Sequence, residues 1–317
     1  MRVLLISSWG TACGIADYAE QAKRAIEKAD PGIEIVPYAA GLNPSVVEQL
    51  FDTPHNWDVI WLNHHRGLHS RWTPKAVAWA KTRGKVLITF HDTFGENPPD
   101  DLCQQLHDLA DAFVVHEPCV GLEKQILIRH GVPEIWLRQV ELSHFKAYPD
   151  QPLLGTVGFN FPWKNFDRIA EYSEKAGWAL LILSNNATEK EEARWRRLNP
   201  HLHCVRKFLP QWEAVSYLAA CDATIFAYEC ANSGTSGAIR QGLAARKPVI
   251  AWQCRQFRDL NTYGGVSIHW CRGFDHLEET LWQIPIQRVD PGIAYLAHRD
   301  SWTNQGKKYA EIFRRLA

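Results

Sequence analysis

Residues 229–252 read Glu-Cys-Ala-Asn-Ser-Gly-Thr-Ser-Gly-Ala-Ile-Arg-Gln-Gly-Leu-Ala-Ala-Arg-Lys-Pro-Val-Ile-Ala-Trp and follow the apolar run Ala223–Tyr228. This order predicts a strand, a loop of small residues, a helix and a second strand. The loop Ser233–Gly237 has no bulky side chain, so its backbone N–H groups can approach a ligand closely. A helix N-terminus carries a partial positive charge that favours a phosphate. Arg240, one turn into the helix, is positioned to add a bidentate contact.

The same alternation of apolar runs and helical stretches extends over the first half of the chain. It predicts an α/β fold with a parallel sheet and right-handed crossovers. The predicted strands are Val3–Ser7, Ile33–Tyr38, Asp58–Asn63, Lys85–His91, Ala112–His116 and Ile135–Val140, with helices near Ile15–Glu27, Ser45–Phe51, Pro74–Lys81, Asp100–Leu109 and Val120–Arg129.

Two prolines interrupt the pattern within residues 147–152, and we expect the linker there. The alternation then restarts, which predicts two Rossmann-like domains, residues 1–147 and 148–292, facing each other across a cleft. Residues 293–317 have the spacing of a helix. Ligands of such sheets lie beyond the carboxyl ends of the strands. The strands predicted for the second block are Leu153–Phe159, Trp178–Ser184, His203–Arg206, Ala223–Tyr228, Pro248–Trp252 and Val266–Trp270.

The composition is that of an ordinary globular protein. Lys+Arg and Asp+Glu both count 35, so the basic excess typical of nucleic-acid binding is absent. The eight cysteines form no C-x-x-C pair, which favours reduced thiols in a cytoplasmic protein. The first residues are too briefly apolar for a signal peptide, and no stretch has the length of a membrane span.

Polar residues follow several predicted strands of the first half. Because the carboxyl ends of parallel strands share one edge of a sheet, these residues predict a polar substrate pocket. A zinc site is the alternative, but no H-E-x-x-H or similar ligand spacing is present. The residues concerned are Trp9 and Gly10 after the first strand, His64 and His65 after the third, His91 and Asp92 after the fourth, and His116 and Glu117 after the fifth.

Lys164 follows the first strand of the second block and precedes a helix. A lysine there can meet a phosphate as a point charge, although a solvated surface lysine is the simpler interpretation when it is considered alone. Together with the loop Ser233–Gly237 it favours a phosphate site. No D-x-D motif is present, so a metal bridged to a diphosphate is not indicated, and we expect neither a metal nor a bound cofactor.

Five segments, in this order along the chain, carry a resemblance to a known family: Gly10–Ile15 with Tyr18, Ile88–Asp92, Val157–Ala170, Gly242–Ala251 and Ser301-Trp302. Through them the chain resembles the family 4-like glycosyltransferases of GT-B fold over most of its length. The resemblance implies two Rossmann-like domains and a C-terminal helix, within 293–317, that crosses back to the N-terminal domain. It also implies a retaining transferase that uses a nucleoside-diphosphate sugar.

Two departures from the family pattern concern the donor site. The family's Glu-x7-Glu signature aligns with Ser233 and Gln241, so both carboxylates are replaced. Phe159 stands where the family has a diphosphate arginine, and Arg240 is the candidate replacement. An amide such as that of Gln241 still donates to and accepts from ribose hydroxyls.

The resemblance and the residue pattern together assign roles to the site residues. The predicted catalytic residues are His91, Lys164 and Arg240. The predicted diphosphate contacts are Gly14, Lys164, Ser236, Gly237 and Arg240. The predicted donor sugar and ribose contacts are Glu229, Asn232, Ser233, Gly234, Thr235 and Gln241. The predicted acceptor or sugar pocket is Trp9, Gly10, His64, His65, Asp92, His116 and Glu117.

Other functions remain open at this point. A nucleotide-sugar epimerase would use Glu117 and Asp92 as acid and base, and a catalytically inactive nucleotide-sugar binding protein would fit the replaced glutamates. The acceptor of a transferase is unassigned: a glycan, a lipid-linked sugar, a protein or a modified nucleobase. The dinucleotide fingerprint is absent, which disfavours an NAD dehydrogenase. Membrane contact is at most peripheral, through Lys307, Lys308, Arg314 and Arg315.

Overall fold

A computed structural model describes residues 1–40, 49–50, 56–69, 73–92, 99–135, 150–229, 234–261, 268–286 and 289–317. The chain divides into two compact units. The first contains the described parts of Met1–Gly131 and Asp300–Ala317, together with Gly234 and Thr235. The second contains the described parts of Val132–Ala231 and Ser236–Arg299.

The first unit is built on a six-stranded sheet in the order β2-β1-β3-β4-β5-β6, with every pair parallel. Strand β3 is buried along its whole length, as is usual for a parallel sheet covered on both faces. The strands are β1 (Arg2–Ser7), β2 (Glu34–Ala39), β3 (Val59–His64), β4 (Lys85–Phe90), β5 (Ala112–Val115) and β6 (Gln125–Leu127). The helices between them are α1 (Gly14–Ala29), α2 (Arg66–His69), α3 (Thr73–Lys81) and α4 (Asp101–Leu109).

The second unit contains a second six-stranded parallel sheet, in the order β12-β11-β10-β7-β8-β9. This is the doubly wound order in which the strand sequence reverses between β7 and β10. The strands are β7 (Leu153–Val157), β8 (Ala179–Leu183), β9 (Leu202–Val205), β10 (Ala223–Phe226), β11 (Val249–Trp252) and β12 (Ile268–Cys271). The helices are α5 (Phe166–Lys175), α6 (Glu189–Leu198), α7 (Gln211–Ala220), α8 (Gly237–Ala244), α9 (Arg258–Asn261), α10 (Leu277–Gln283) and α11 (Pro291–Arg299).

The final helix, α12 (Trp302–Leu316), belongs to the first unit. Its Tyr309 hydroxyl lies 2.8 Å from the hydroxyl of Tyr18 on α1. The expected return of the C-terminal helix is therefore confirmed. The tail is not one helix, however, because the side chain of Ser301 accepts a hydrogen bond from the N–H of Asn304 and starts a new one. Helix α11, before this cap, stays in the second unit.

Local sequence signals explain where several helices begin. The thiol of Cys13 accepts a hydrogen bond from the N–H of Ala16 at the start of α1. The carboxylate of Asp100 caps α4. Thr188 and Glu191 form a reciprocal capping box at the start of α6. Such caps satisfy N–H groups that have no partner inside the helix, so they define these starts.

The segment after β5 differs from its prediction. We expected a helix over Val120–Arg129, but residues Gln125–Leu127 form β6 and pair with β5. The amide of Gln125 bonds both the N–H and the carbonyl of Cys119, which closes the turn before the strand. Of the strand predicted at Ile135–Val140, all but the first residue lies outside the described part. The unit boundary falls between Gly131 and Val132, earlier than the linker we expected at 147–152.

The basic residues near the C-terminus are exposed on α12. Arg314 pairs with Asp30, its Nε lying 2.7 Å from Oδ2. None of the helices that the structure describes combines the length and the apolar character required to cross a bilayer. Peripheral membrane contact by these residues stays a prediction; they are Lys307, Lys308, Arg314 and Arg315.

Candidate functional site

The loop after β7 places Lys164 over a glycine. Strand β7 ends at Val157, and Gly158 follows with a φ of 137°, a conformation that side chains disfavour. The chain then forms a short 3₁₀ turn at Pro162–Lys164. A β-carbon on Gly158 would overlap the Nζ atom of Lys164. Glycine at this position therefore makes room for the ammonium group.

Lys164 is a buried cation among aromatic rings. Its side chain is almost completely covered, with 5% of the residue exposed. Nζ lies 5.2 Å from the ring centroid of Tyr228, 5.4 Å from that of Trp163 and 5.9 Å from that of Phe161. Within the described residues no carboxylate pairs with it, and burial lowers the pKa of Lys164 to about 7. The ring faces compensate only part of the lost hydration, so the site favours an anion.

The first turn of helix α8 lies beside this ammonium. The position that a β-carbon would occupy on Gly158 is 3.6 Å from the β-carbon of Ala238, the second residue of α8. Lys164 and Ala238 therefore meet over the same glycine. The first N–H groups of a helix have no partner inside the helix, and the side chain of Ser236, which precedes α8, does not cap them. Their partial positive charge adds to that of the ammonium.

These parts meet at a specific place in the second sheet. Lys164 lies in the loop after β7, and Tyr228 and α8 follow β10, which is the neighbour of β7. The two strands flank the point where the strand order reverses. Their loops are also joined directly, since the N–H of Glu229 donates to the carbonyl of Trp163 at 2.8 Å. In doubly wound sheets, ligands bind at this reversal point, beyond the carboxyl ends of the strands.

Two residues that we expected to contact the diphosphate are used differently. Arg240 has no exposed surface, and its guanidinium pairs with the buried carboxylate of Asp259. The N–H of Ser236 donates to the carbonyl of Gln256 at 3.2 Å. Because these groups already have hydrogen-bond partners inside the second unit, they are poorly placed to bind a phosphate as well. Gly237 is the first residue of α8, and its contact with the diphosphate stays a prediction.

The residues predicted for the donor sugar and ribose are spread over several places. Glu229 is exposed, and its Oε1 lies 3.9 Å from Nη1 of Arg168. Gln241 on α8 is half-buried, and its Oε1 has no hydrogen-bond partner among the described residues. Asn232 and Ser233 lie outside the described part of the chain. Gly234 and Thr235 group with the first unit, where a β-carbon on Gly234 would overlap the carbonyl oxygen of His91.

In the first unit, His91 belongs to a buried hydrogen-bond chain. Nδ1 of His91 lies 3.0 Å from Nε2 of His116, and Nδ1 of His116 lies 2.8 Å from the carbonyl oxygen of Ile128. Nε2 of His91 lies 3.3 Å from the side-chain oxygen of Asn63. The ring of Tyr18 covers His91, with centroids 4.5 Å apart. The chain therefore links the ends of β3, β4 and β5.

The bonding pattern fixes how this chain is protonated. A carbonyl only accepts, so His116 carries its proton on Nδ1, and its Nε2 accepts from Nδ1 of His91. Burial lowers the pKa of His91 well below its usual value, so this ring is neutral and its Nε2 is an acceptor. Asn63 satisfies that acceptor when its amide is turned so that Nδ2 donates, which also gives Nδ2 a partner. Both ring nitrogens of His91 are then occupied, and its role at a transferred sugar stays a prediction.

A second histidine group lies at the ends of β1 and β3. His69 accepts the N–H of His65 on Nδ1, and its Nε2 therefore donates to the hydroxyl of Ser8 at 3.2 Å. The hydroxyl of Thr73 donates to the carbonyl of His69, so it accepts from Nδ1 of His64 at 2.9 Å. Burial lowers the pKa of both His64 and His69 to about 3. These rings are neutral at physiological pH and stabilise the loop after β3.

Asp92 and His65 lie at the start of helix α2. One oxygen of Asp92 accepts the N–H of Arg66 at 2.9 Å, and the other lies 3.9 Å from Nε2 of His65. The side chain of Arg66 pairs with Asp100. Burial raises the pKa of Asp92, although His65 and Arg66 oppose this shift. The predicted pocket residue Asp92 therefore caps a short helix.

The remaining predicted residues of the first unit differ in accessibility. Gly10 and Gly14 are exposed, and Trp9 is half-buried in the loop between β1 and α1. Glu117 is buried after β5. Gly14 is the first residue of α1, where an anion would meet unpaired N–H groups.

Several residues that complete these sites were not predicted from the sequence. Asn63 and His69 hold the histidine rings, and Tyr228, Phe161 and Trp163 surround Lys164. The pocket prediction considered only side chains directly after a strand, whereas His69 lies at the end of α2, one helical turn beyond the end of β3. Among the described residues no three His, Cys, Asp or Glu side chains are arranged to hold a metal ion, so the zinc alternative has no support there.

The fold matches solved structures of glycosyltransferases. Anabaena Alr3699/HepE, solved with UDP and glucose, has a TM-score of 0.67 at 13% identity, with 100% of both chains covered. AviGT4, a glycosyltransferase of avilamycin A biosynthesis, has a TM-score of 0.65 at 14% identity, with 99% of this chain and 97% of AviGT4 covered. The UDP-forming α,α-trehalose-phosphate synthase of Burkholderia xenovorans, solved with glucose-6-phosphate, has a TM-score of 0.67 at 10% identity, with 99% and 100% covered.

Similarity at these identities shows the fold, and the fold is GT-B. No protein-family model matches the chain. No curated protein sequence matches it either.

Proposed function

We propose that this protein is a glycosyltransferase that moves a sugar from a nucleoside-diphosphate sugar to an acceptor. The observation that carries the proposal is the buried ammonium of Lys164 beside the first turn of α8, at the strand-order reversal of the second sheet. A buried cation with no carboxylate partner among the described residues gains most from an anionic ligand. The GT-B fold, and relatives solved with UDP or UDP-glucose, support a nucleoside diphosphate as that anion.

Lys164 and Gly237 would stabilise the leaving group. When the bond from the anomeric carbon to the phosphate oxygen breaks, negative charge develops on the diphosphate and positive character on the sugar. The ammonium of Lys164 and the first N–H groups of α8 would stabilise this charge, and their proximity over Gly158 supports the proposal. Preorganised donors of this kind typically contribute about 2.7–4 kcal/mol each to lowering the barrier.

We further propose that the anomeric configuration is retained and that no metal takes part. Retention requires the acceptor to attack from the side that the diphosphate leaves, and the family resemblance supports this course. The positive charge that a divalent metal supplies in other transferases would come here from Lys164 and the α8 N-terminus. The acceptor is a glycan, a lipid-linked sugar, a protein or a modified nucleobase.

The transferase is favoured over a nucleotide-sugar epimerase. An epimerase needs carboxylates that are free to exchange protons, and Asp92 and Glu117 are the candidates. Asp92 already accepts the N–H of Arg66 and faces His65. A carboxylate committed to capping a helix is a poor choice for an acid or base.

The experiment begins with a thermal-shift screen of the protein against UDP, GDP, ADP and dTDP. The strongest ligand is then titrated calorimetrically into the wild type and into Lys164→Met. Loss of a charged hydrogen bond to phosphate is expected to weaken binding roughly 10- to 100-fold. The same substitution is expected to slow release of the nucleotide from its sugar donor.

Lys175→Met is the matched control. Lys175 lies on α5 in the same unit, is exposed, and pairs with Glu171. Its replacement should leave nucleotide affinity unchanged. Equal affinity of wild type and Lys164→Met would contradict the proposed site. Binding without donor turnover for any acceptor class would instead identify a nucleotide-sugar binding protein.

A further inference from the structure

Three aromatic rings form a row in the loop that carries Lys164. Phe161 stacks on Trp163, with centroids 5.5 Å apart and planes inclined by 17°. Phe159 lies 5.9 Å from Phe161. Although it contacts both neighbours, Phe161 remains 42% exposed. We call Phe159, Phe161 and Trp163 the aromatic row.

The backbone beneath the row is held in place at several points. The N–H of Lys164 donates to the carbonyl of Phe161 at 2.9 Å, which closes the 3₁₀ turn. The side-chain amide of Asn165 donates to the carbonyl of Ala227 at 2.9 Å. Pro162 is the first residue of the turn and fixes its own φ. The rings therefore lie on a preorganised loop, so a ligand need not order them on binding.

The row adjoins both the phosphate site and a predicted sugar contact. The centroid of Phe161 is 5.9 Å from Nζ of Lys164. The carbonyl of Trp163 accepts the N–H of Glu229, whose exposed carboxylate is predicted to contact the donor sugar. A group bonded to a phosphate at Lys164 therefore comes within reach of the ring of Phe161.

We infer that the aromatic row, through Phe161, binds the pyranose ring of the nucleoside-diphosphate sugar and contributes to selection of the sugar. An aromatic ring covers the C–H face of a sugar, while a carboxylate such as that of Glu229 accepts its hydroxyl groups. This combination would take the place of the carboxylate that the family resemblance leads us to expect at position 233. The inference rests on the proposed function and adds the residue that recognises the sugar.

The test compares a nucleotide with its sugar conjugate in Phe161→Leu. Leucine keeps an apolar side chain at an exposed position but removes the ring. We expect the dissociation constant for UDP-glucose to rise about tenfold, and that for UDP to stay within about twofold. If UDP is not the preferred nucleotide, the pairs GDP and GDP-mannose, ADP and ADP-glucose, or dTDP and dTDP-glucose are used.

Two variants serve as controls. Phe208→Leu makes the same change at another exposed phenylalanine of the second unit and should leave both affinities unchanged. Phe161→Tyr keeps the ring and should retain the wild-type preference for the conjugate. Thermal unfolding of each variant shows that the fold is intact.

The possible outcomes separate the two proposals. Equal weakening of UDP and UDP-glucose would place the ring against the nucleotide and overturn the inference, as would unchanged affinity for both. In either case the binding of UDP by the wild type, and its loss in Lys164→Met, would leave the proposed function standing. A wild type that binds no nucleotide of any pair would overturn both.

Discussion

The charge of Lys164 depends on pH in the physiological range. Burial lowers the pKa of its ammonium to about 7, and within the described residues no carboxylate opposes this shift. A bound phosphate favours the charged form and raises the pKa again. Binding of an anion is therefore linked to uptake of a proton by this residue.

The linkage predicts that donor affinity declines in alkaline solution. Below pH 7 Lys164 is charged before the ligand arrives, so the affinity is fully present. Above pH 7 each bound ligand must also recruit a proton, and the affinity should fall by up to about tenfold per pH unit until the pKa of the complex is reached. Calorimetric titration with a nucleoside-diphosphate sugar between pH 6 and 9 measures this decline.

Lys164→Gln provides the comparison for this prediction. Glutamine cannot take up a proton, so its complex should be weak and its affinity nearly independent of pH. A wild-type affinity that stays constant from pH 6 to 9 would contradict the linkage.

At the residue scale, the sequence predicts which cation lies at the site but not its surroundings. Lys164 could be selected because it follows a strand and precedes a helix. The partner of Arg240 could not be predicted, because Asp259 lies several turns of chain away and no local pattern connects the two residues. The amide orientation of Asn63 likewise follows only from counting hydrogen bonds between side chains that tertiary structure brings together.

At the scale of elements, helix α8 depends on a close approach to strand β10. A β-carbon on Gly242 would lie 2.5 Å from the ring of Phe226 and 3.2 Å from the hydroxyl of Thr224. The first distance is shorter than real β-carbon contacts, and the second is tighter than most of them. Glycine therefore allows the helix to lie close against the sheet, which brings its first turn to Lys164.

Gly242→Ala is expected to destabilise the protein by roughly 1–3 kcal/mol, because an added methyl group forces this interface apart. Displacement of α8 should also weaken nucleotide binding. Urea unfolding and calorimetry measure the two effects.

Gly14→Ala is the control for this substitution. Nothing lies within 4 Å of its β-carbon position. Since alanine favours a helix more than glycine does, this change should be neutral or slightly stabilising. Equal losses of stability in the two variants would argue against a specific clash at Gly242.

Element prediction succeeded where the pattern is local. The strands of the second sheet occur along the chain where they were predicted, because each combines an apolar run with a following turn. The segment around Gln125–Leu127 was wrongly predicted as helix, because its apolar residues fit either period. Pairing with β5 decided the outcome, and that contact is not encoded locally.

At the scale of the whole molecule, α12 completes the first unit. Its Tyr309 hydroxyl lies 2.9 Å from the hydroxyl of Thr89 and 2.8 Å from that of Tyr18. The indole N–H of Trp61 donates to Thr89 at 2.9 Å. This buried polar chain fastens the last helix to β3, β4 and α1.

Tyr309→Phe removes the central hydroxyl of this chain. The groups left without a partner should cost about 1–3 kcal/mol. A lower urea midpoint for unfolding is therefore expected. Arg314→Ala, which removes an exposed ion pair on the same helix, should change the urea midpoint little, because solvent screens the pair. A loss for Tyr309→Phe no larger than that of Arg314→Ala would contradict the role of the chain.

The two-sheet architecture could be predicted from the sequence, whereas the limits of the units could not. Strand–helix alternation is repeated in both halves, so it indicates two parallel sheets. The prolines near residue 150 suggested a boundary there, but the first stretch of the first unit ends at Gly131. Where a unit ends depends on which part of the fold the chain packs against. Gly131 packs against the ring of Trp302, a residue far from it in the sequence, so no local pattern reveals this boundary.

The return of α12 to the first unit also has a consequence for synthesis on the ribosome. Translation proceeds from the amino end, so the sheet containing β1 emerges early but lacks the helix that covers Tyr18. Its apolar surface must await Trp302–Leu316, which is made only after the second unit. The later-made unit is therefore able to fold first, and the half made first is completed last.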